Sequence, residues 1–484
     1  MNILILTNTF TPHVGGVARS VEAFTAEYRK RGHRVLIVAP EFPKMPQDEV
    51  DVVRINAIQN FNASDFSVAL PIHPQLSESI DAFRPDVVHS HHPFLLGNTA
   101  FRLARHRELP LVFTHHTLYE QYTHYVPGNS PALKLFAIEL ATRYANLSDQ
   151  VFAPSESIRD LLLERGVSTP IAVVPTGVCL EKFARGDGGV IRKMLGIPAD
   201  AFVVGHMGRL APEKNLEFLT RSVADFISLN SRAHFLVVGT GPSEAAMRDA
   251  FANSGLEAQL HLAGILQQQQ LTDALHAMDL FAFASTSETQ GMVLTEAMAA
   301  GLPVVALDAP GAREVVRDSQ NGRLLREATA TTFSAALQWV FDLPAQKLHG
   351  LKQAALATAE AFSMPNSADK ALACFEALES GAIADVYKDK DRDKVELGWE
   401  DVMNYHQNMC NRHYSWFWRL RRCFCTGALY WSRLRWFLWQ RRTLHFSFFN
   451  SNTRCLCSCW NRCISSGVNP RPLNCNFFIV RNDR

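Results

Sequence analysis

The sequence predicts an α/β protein with two doubly wound halves, each a parallel sheet covered by helices on both faces. Short, nearly all-apolar runs alternate with amphipathic stretches, as expected of strands buried on two faces. This series occurs twice, before and after an irregular polar segment at 185–189. The chain of 484 residues, 47% apolar and 20% charged, is long enough for two or three domains and too apolar for disorder.

The first half begins with an apolar strand followed by a helix with a clear period. Its apolar residues recur at offsets of 4, 3 and 4, at Val17, Val21, Phe24 and Tyr28. They form one face of a helix that Gly32 can end. Strand, glycine turn, helix and strand make one Rossmann-like unit. The predicted strands of this half are 2–6, 34–39, 86–89, 111–114, 150–153 and 171–174.

The second half repeats the pattern, with predicted strands at 202–206, 234–239, 260–263, 280–284 and 304–307. The turn Pro175-Thr176-Gly177 is the natural boundary between the halves. We therefore expect a Rossmann-like domain at 1–178 and a second at 179–380, facing each other across a cleft, followed by an extension at 381–404. Ligands of such sheets bind beyond the carboxyl ends of the strands, so residues with chemistry should lie there.

The N-terminus predicts a cytoplasmic protein. The opening MNILILTNTF has no basic lead-in and becomes polar at Thr7, so it fits a core strand better than a secretion signal. No stretch approaches the roughly 20 consecutive apolar residues of a membrane-spanning helix.

The last 80 residues, 405–484, differ in composition from the rest of the chain. They contain 13 Arg, no Lys and one acidic residue, together with eight of the 10 Cys and six of the 8 Trp. The two explanations are an arginine- and aromatic-rich membrane-surface segment and a sequence translated out of its natural frame, which we favour. The Cys residues lack paired CxxC units, which argues against zinc.

The segment 287–296, after the apolar run LFAFAS, carries the strongest indication of function. Glu288 lies in the predicted loop, Gly291 at the start of a helix, and Glu296 two turns further on. Helix N-termini bind anions, so this segment can hold a phosphate while its carboxylates contact hydroxyl groups. That combination suits a nucleotide-sugar site. The alternative is an ordinary N-cap at Glu288 and a solvated carboxylate at Glu296.

A cationic loop, GRLAPEKN at 208–215, follows the first strand of the second half. Arg209 and Lys214 can flank a diphosphate, the first through a planar fork and the second as a point charge. A solvated charged loop is the alternative explanation.

A glycine turn, PHVGGV at 12–17, joins the first strand to the first helix. Gly15 and Gly16 allow a phosphate to approach the backbone and the helix N-terminus. The turn lacks the GxGxxG spacing, which disfavours NAD.

Histidines cluster at the ends of two predicted strands, at His89, His91, His92, His115 and His116. No nearby cysteine or carboxylate completes a metal site, and adjacent residues at a strand end point to opposite sides. Metal binding is therefore disfavoured. Ordinary polar edge residues and a catalytic or substrate-binding role for one histidine both stay open.

Five segments in this order resemble the retaining, family 4 type of glycosyltransferase, which has the GT-B fold and two glutamates separated by seven residues. The segments are PHVGGVARSVEAF, VPTGV, GRLAPEKNL, VVGTGP and ASTSETQGMVLTEAMAAGLPVVA. The stretch VFTHHTLYEQYTHYVP is similar to one in bacterial enzymes that transfer glucose to diacylglycerol. The resemblance implies two Rossmann-like domains, with 1–178 for the acceptor and 179–380 for the nucleotide-sugar donor. It also implies sugar transfer from a nucleotide sugar to a hydroxyl group of diacylglycerol or another glycolipid.

The resemblance also implies roles for individual residues. His116 and Glu288 would be catalytic, near the anomeric carbon and at the transferred sugar. The implied donor-binding groups are the side chains of Arg209 and Lys214 at the pyrophosphate and of Glu296 at the ribose hydroxyls, with Gly16 approaching the β-phosphate. The backbone of Gln290, Gly291 and Met292 would contact the transferred sugar, and the amides of Val293 and Leu294 would contact a phosphate. A UDP-sugar is the favoured donor. No metal or other cofactor is expected, because fixed cations and oriented amides can stabilise the departing diphosphate.

Other functions stay open. They are transfer to a soluble or polysaccharide acceptor, a sugar phosphorylase or epimerase of the same plan, and a non-enzymatic sugar-nucleotide binding protein. A lipid acceptor implies docking at the inner face of the plasma membrane, where two sets of residues offer basic patches: Arg102, Arg105 and Arg107 on one predicted helix, and Arg29, Lys30 and Arg31 elsewhere. Residues 1–178 nevertheless carry 15 basic and 17 acidic side chains. No nucleic-acid partner is expected, and the oligomeric state is not predicted.

Overall fold

The computed structural model describes residues 1–13, 15–43, 45–46, 48–59, 67–69, 76–121, 123 and 130–381. The predicted extension beyond residue 381 and the Arg-rich tail at 405–484 lie outside the described residues. Within the described ranges, no helix combines the length and apolar character needed to cross a membrane.

The first half of the chain alternates strands and helices, except that four strands lie between its first two helices. Its strands are β1 (Asn2–Leu6), β2 (Arg34–Pro40), β3 (Val52–Ile55), β4 (Ala57–Ile58), β5 (Val68–Ala69), β6 (Val87–Ser90), β7 (Leu111–Thr114), β8 (Gln150–Ala153) and β9 (Ile171–Val173). Its helices are α1 (Gly16–Lys30), α2 (Leu76–Phe83), α3 (Leu96–His106), α4 (Pro131–Leu147) and α5 (Glu156–Glu164).

The first sheet has seven strands in the order β3-β2-β1-β6-β7-β8-β9, and its strand pairs are parallel. All six strands that the sequence predicts for this half are present. The additional strand β3 lies at the edge of the sheet and is mostly half-buried. Its short apolar run is interrupted by Arg54, so it lacks the nearly all-apolar pattern of the predicted strands.

Helix α1 confirms the predicted period. It begins at Gly16 after the extended N-cap Gly15, and Val21, Phe24 and Tyr28 are buried in the core. Gly32, just beyond its end, has a φ of 85°, a left-handed conformation that glycine adopts without steric cost. The helix therefore starts at the glycine turn and packs its apolar face on β1 and β2.

The second half forms another sheet with the same plan. Its strands are β10 (Phe202–Met207), β11 (Ala233–Val238), β12 (Leu260–Leu262), β13 (Leu280–Phe283), β14 (Val304–Leu307) and β15 (Gly322–Leu325). Its helices are α6 (Leu180–Phe183), α7 (Gly188–Leu195), α8 (Leu216–Leu229), α9 (Glu244–Asn253), α10 (Gln269–His276), α11 (Met292–Ala299), α12 (Ala312–Val315), α13 (Ala330–Phe341), α14 (Ala345–Ala361) and α15 (Met364–Glu379).

The second sheet has six strands in the order β12-β11-β10-β13-β14-β15, again with parallel neighbours. All five strands predicted for this half are present. Strand β15, which was not predicted, is another half-buried edge strand and carries Arg323. Two doubly wound parallel sheets are therefore the architecture of the described chain, as the sequence predicts.

The last described helix, α15, returns to the first sheet. Met364, Ala368 and Phe375 share a core with Ile3 and Tyr28. The rings of Tyr28 and Phe375 meet edge to face, with centroids 5.9 Å apart. The division at residue 178 places α15 in the second domain by chain order, but its apolar face stabilises the first.

The chain passes between the sheets twice, and the two crossings are hydrogen-bonded to each other. The amide of Val178 donates to the carbonyl of Phe362 at 2.8 Å, and the amide of Met364 donates to the carbonyl of Val178 at 3.0 Å. A Cβ on Gly177 would lie 2.3 Å from the Cα of Met364. This close approach requires glycine at position 177.

We expect Gly177→Ala to lower the melting temperature, because the added methyl group forces the two crossings apart. Overpacking of this kind typically costs about 1–3 kcal/mol of unfolding free energy. Gly350→Ala is the control, since Gly350 is exposed in α14 with no atom within 4 Å of an added Cβ, and alanine favours a helix by about 1 kcal/mol. Thermal unfolding of both variants checks this. A Gly177→Ala protein as stable as wild type would contradict the close packing.

Candidate functional site

The strand order locates a candidate site in each sheet. The order reverses between β1 and β6 in the first sheet and between β10 and β13 in the second. Loops that leave the carboxyl ends of such neighbouring strands diverge and open a crevice, which is where doubly wound sheets bind ligands. The glycine turn, the cationic loop and the segment 287–296 all follow these strands, so the predicted segments lie at the reversal points.

The turn after β13 leads directly into α11. Gly291, its N-cap, has a φ of 71°, and a Cβ there would lie 3.3 Å from the carbonyl oxygen of Gly311. Met292 and Val293 follow in the first turn, where amides have no acceptor within the helix. The amide of Leu294 instead donates to the carbonyl of Gly291 at 2.9 Å. The amides of Met292 and Val293 are therefore better placed for an anion than that of Leu294.

The cationic loop lies beside this turn. Lys214 ends a short 3₁₀ turn, and its Nζ donates to Glu288 Oε1. Two further hydrogen bonds join the same loops: Ser287 Oγ donates to the carbonyl of Glu213 at 3.0 Å, and Asn215 Nδ2 donates to that of Ala284 at 3.2 Å. The structure thus brings Lys214 and Glu288 together, with the exposed Arg209 on the same loop as Lys214.

Glu288 and its surroundings form a polar cluster at the end of β13. Ser285 Oγ donates to Glu288 Oε1 at 3.3 Å, so that oxygen receives both a hydroxyl and an ammonium donor. The Glu288 and Lys214 side chains are only about one-fifth exposed, at 23% and 18%. An ion pair this sheltered from water interacts more strongly than one on the open surface.

Gln290 fastens the turn to the first crossing between the sheets. Its Oε1 accepts from the amide of Thr176 at 2.7 Å, and its Nε2 donates to the carbonyl of Thr176 at 2.6 Å. The Gln290 side chain is buried and occupied in this pair of bonds. The family resemblance implies a role only for the backbone of Gln290, and no local sequence pattern indicates a side-chain partner 114 positions away.

The first turn of α1 lies opposite α11. Arg19 Nη1 is 3.6 Å from Glu296 Oε1, in an ion pair between the two domains. Burial raises the pKa of the Glu296 carboxyl, while the Arg19 and Lys182 cations act in the opposite direction. A Cβ on Gly16 would meet no atom within 4 Å. The glycine turn therefore leaves open space next to the helix that carries Glu296.

His116 lies where β7 ends and touches the turn after β13. The carbonyl of His116 accepts from Thr289 Oγ1 at 2.8 Å, and Ser155 Oγ donates to the carbonyl of Thr289 at 2.7 Å. His116 Nε2 is 2.7 Å from Nδ1 of His91. Two residues of the first domain thus form hydrogen bonds with Thr289, and His116 lies beside the turn that carries Glu288.

The other histidines of the two clusters are buried. His89 Nε2 bonds the Thr114 hydroxyl at 2.7 Å, and His92 Nδ1 accepts from the amide of Asn8 at 3.1 Å. Burial lowers the pKa of His115 to about 4. Among the described residues, no group of three or more His, Cys, Asp or Glu side chains is arranged to hold a metal ion.

Comparison with known proteins identifies the family. The sequence model of Glycosyltransferase Family 4 matches residues 14–182, and that of Glycosyl transferases group 1 matches residues 189–357. The chain is also 32% identical over 325 residues to D-inositol 3-phosphate glycosyltransferase of Actinosynnema mirum, covering 63% of this chain and 74% of the relative. The chain is a family 4 glycosyltransferase. It is therefore an enzyme of the hexosyltransferase class.

One further relative and one solved structure extend this result. Alpha-monoglucosyldiacylglycerol synthase of Streptococcus pneumoniae is 28% identical over 330 residues, 67% of this glycosyltransferase and 75% of the relative. The crystal structure of Anabaena HepE in complex with UDP and glucose aligns with a TM-score of 0.61 at 22% identity, covering 78% of this chain and 99% of that one. The first similarity confirms the predicted resemblance to diacylglycerol glucosyltransferases, and the second confirms the GT-B fold.

We expect Gln290→Glu to destabilise the glycosyltransferase, because a carboxylate oxygen would replace the amide group that donates to the carbonyl of Thr176. Loss of such a buried hydrogen bond typically costs about 1–3 kcal/mol. Gln353→Glu, an exposed change on α14, is the matched control for the added charge. Thermal unfolding measures both. Equal melting temperatures for the two variants would show that the Gln290 amide does not hold the turn.

Proposed function

We propose that this enzyme is a retaining glycosyltransferase that uses a nucleoside diphosphate sugar, with a UDP-sugar favoured, and glycosylates diacylglycerol or a related lipid. The observation that carries the proposal is the contact of Lys214 with Glu288 beside the N-terminus of α11. This arrangement supplies a cation, a carboxylate and oriented amides within one turn. A sugar diphosphate presents the matching anion and hydroxyl groups.

The donor diphosphate would lie between the cationic loop and α11. Lys214 and Arg209 supply positive charge, and the amides at the start of α11 supply aligned dipoles. A diphosphate at Lys214 competes with Glu288 for the ammonium group and leaves the carboxylate to accept hydrogen bonds from sugar hydroxyls. Glu296 would accept from the ribose, and Gly16 would admit the β-phosphate from the opposite domain.

The same groups suit the reaction. As the sugar separates from the diphosphate, negative charge grows on the leaving group and positive charge on the anomeric carbon. Fixed cations and amides stabilise the first charge without reorganising. His116, held at the edge of the first domain, would lie near the anomeric carbon, and the departing phosphate would take the proton of the acceptor. No metal ion is part of this proposal.

The acceptor assignment is supported by similarity and by charge. The S. pneumoniae relative is named for a glucosyldiacylglycerol product, and it shares 330 aligned residues with this chain. Arg102 and Arg105 are exposed on α3 and can face anionic lipid headgroups. We therefore place the enzyme peripherally on the cytoplasmic face of the membrane.

A soluble polyol phosphate is the second candidate acceptor. The relative from A. mirum is named for D-inositol 3-phosphate and is 32% identical. The donor half of the proposal does not change with this choice, because Arg209, Lys214 and Glu288 would contact the same donor whichever acceptor is used. The two acceptors therefore differ in a directly measurable product.

We expect the full-length enzyme, given UDP-glucose and diacylglycerol in anionic vesicles, to form a glucolipid with the α configuration of the donor. Mass spectrometry detects the product, and NMR of its anomeric proton reports the configuration. GDP-mannose as donor and inositol phosphate as acceptor are run in parallel. Transfer to inositol phosphate alone would overturn the lipid assignment, and a β-linked product would overturn retention.

We expect Glu288→Ala and Arg209→Ala to fail in different ways. Glu288→Ala removes a group that contacts the reacting sugar, so kcat should fall about 100-fold with little change in donor KM. Arg209→Ala removes a charge that binds the diphosphate in both the ground and transition states, so it should raise donor KM about 10-fold and also lower kcat.

The control for these variants is Arg248→Ala. Arg248 is exposed on α9 and pairs with Glu244 at 2.9 Å, so its loss should leave both constants within about twofold of wild type. Steady-state kinetics with varied donor separates the three patterns. Unaltered transfer by both Glu288→Ala and Arg209→Ala would refute the donor-site assignment.

A further inference from the structure

A pair of histidines joins the ends of two neighbouring strands in the first domain. His91, which follows β6, is 1% exposed, and its Nδ1 lies 2.7 Å from Nε2 of His116, which follows β7. The two rings are inclined by only 15°, and their centroids are 5.0 Å apart. Imidazole lone pairs lie in the ring plane, so this edge-to-edge geometry is that of a hydrogen bond between the two nitrogens.

The pair shares one proton. Burial lowers the pKa of both His91 and His116 well below the usual value, so both rings are neutral near pH 7. A neutral imidazole carries a proton on one nitrogen, leaving the other as an acceptor. The bond between the rings therefore allows two arrangements: either His91 donates through Nδ1, or His116 donates through Nε2.

The surroundings of His91 distinguish these arrangements. Its Nε2 is buried and has no hydrogen-bond partner among the described residues. If His116 donated, the proton of His91 would lie on that Nε2 as a buried donor without an acceptor, which is rare in proteins. If His91 donates, Nε2 is an unprotonated acceptor, and an unfilled acceptor is tolerated more often.

We propose that His91 is a positioning residue, which donates through Nδ1 to His116 and thereby fixes His116 as the tautomer with its proton on Nδ1. This inference rests on the proposed function, in which His116 acts at the anomeric carbon. His116 then always presents an N–H group at Nδ1, and its ring is held at one end by His91. Its backbone is held at the other by Thr289 Oγ1.

A proton fixed on Nδ1 of His116 can serve the proposed reaction. An N–H group can donate to a sugar or phosphate oxygen whose charge grows during transfer, whereas an unprotonated nitrogen would repel it. A neutral ring also avoids placing a second positive charge beside the developing oxocarbenium ion. The role of His91 is to exclude the wrong tautomer and the wrong ring orientation, as the third member of a catalytic triad does for its histidine.

Substitutions at His91 separate a positioning role from a packing role. In His91→Asn the amide nitrogen can occupy the place of Nδ1 and donate, whereas in His91→Gln it lies one bond further out. We expect His91→Gln to lower kcat on the order of 10-fold with donor KM within twofold of wild type. His91→Asn should recover most of that loss.

The matched control is a second histidine pair outside the site. His234 Nδ1 lies 2.9 Å from His261 Nε2, on strands β11 and β12, and His234→Gln should leave kcat unchanged. The variant His116→Ala completes a cycle: because His91 acts through His116, adding His91→Gln to His116→Ala should cost nothing more. A full additional loss in the double variant, or His91→Asn as impaired as His91→Gln, would overturn the proposal.

The cycle also separates this inference from the proposed function. Full activity of His116→Ala would refute the catalytic role of His116 itself. Impaired His116→Ala together with fully active His91→Gln would refute only the role of His91. The tautomer of His116 can also be measured without any substitution at His91. The ¹⁵N chemical shifts of histidine-labelled wild-type enzyme report it, and the signals of His116 are identified by their loss in His116→Ala. A proton on Nε2 of His116 would overturn the proposal.

Discussion

The site depends on one short turn, residues 285–291, which belongs to the second sheet but is hydrogen-bonded to the first domain. Four hydrogen bonds make the connection, two through Thr289 and two through the Gln290 amide. Their partners follow β7, β8 and β9 of the first sheet. The turn also starts α11 and carries Glu288. These bonds therefore hold the carboxyl ends of strands from both sheets close to Glu288.

Charged and polar groups lie on both sides of this turn, and they suit the phosphates and hydroxyl groups of a sugar diphosphate. Lys214 lies on one side of Glu288, and the N-terminus of α11 follows on the other. The open space at Gly16 and the Arg19–Glu296 ion pair lie across from α11. Glycine is required at position 291 because the left-handed turn and the nearby Gly311 carbonyl leave little room for a side chain. The backbone can therefore approach a ligand closely here.

Local sequence patterns predict much of this architecture and fail at identifiable points. Buried strands are visible in the sequence as apolar runs, and α1 is visible as apolar residues at helical spacing. Both could therefore be predicted. Edge strands β3 and β15 could not, because Arg54 and Arg323 interrupt their short apolar runs. The family resemblance indicated Glu288, Lys214 and Gly16.

Contacts between distant parts of the chain left no such pattern. The return of α15 to the first sheet depends on packing between Phe375 and Tyr28, which are far apart in sequence. The bonds of Gln290 to Thr176 and of His91 to His116 likewise depend on which loops the folded chain brings together. The Leu294 amide, assigned to a phosphate from the sequence, bonds the carbonyl of Gly291; only the folded turn shows this competing partner.

The central claim is that loops from both sheets bind one nucleotide sugar, and hydrogen–deuterium exchange tests it most directly. Backbone exchange is measured with and without the nucleotide sugar that the enzyme turns over fastest. The account predicts slower exchange at 208–215 and 285–296 in the second domain, and also at the first turn of α1 and around His116 in the first. Protection confined to one domain, or absent from both sets of loops, would contradict it.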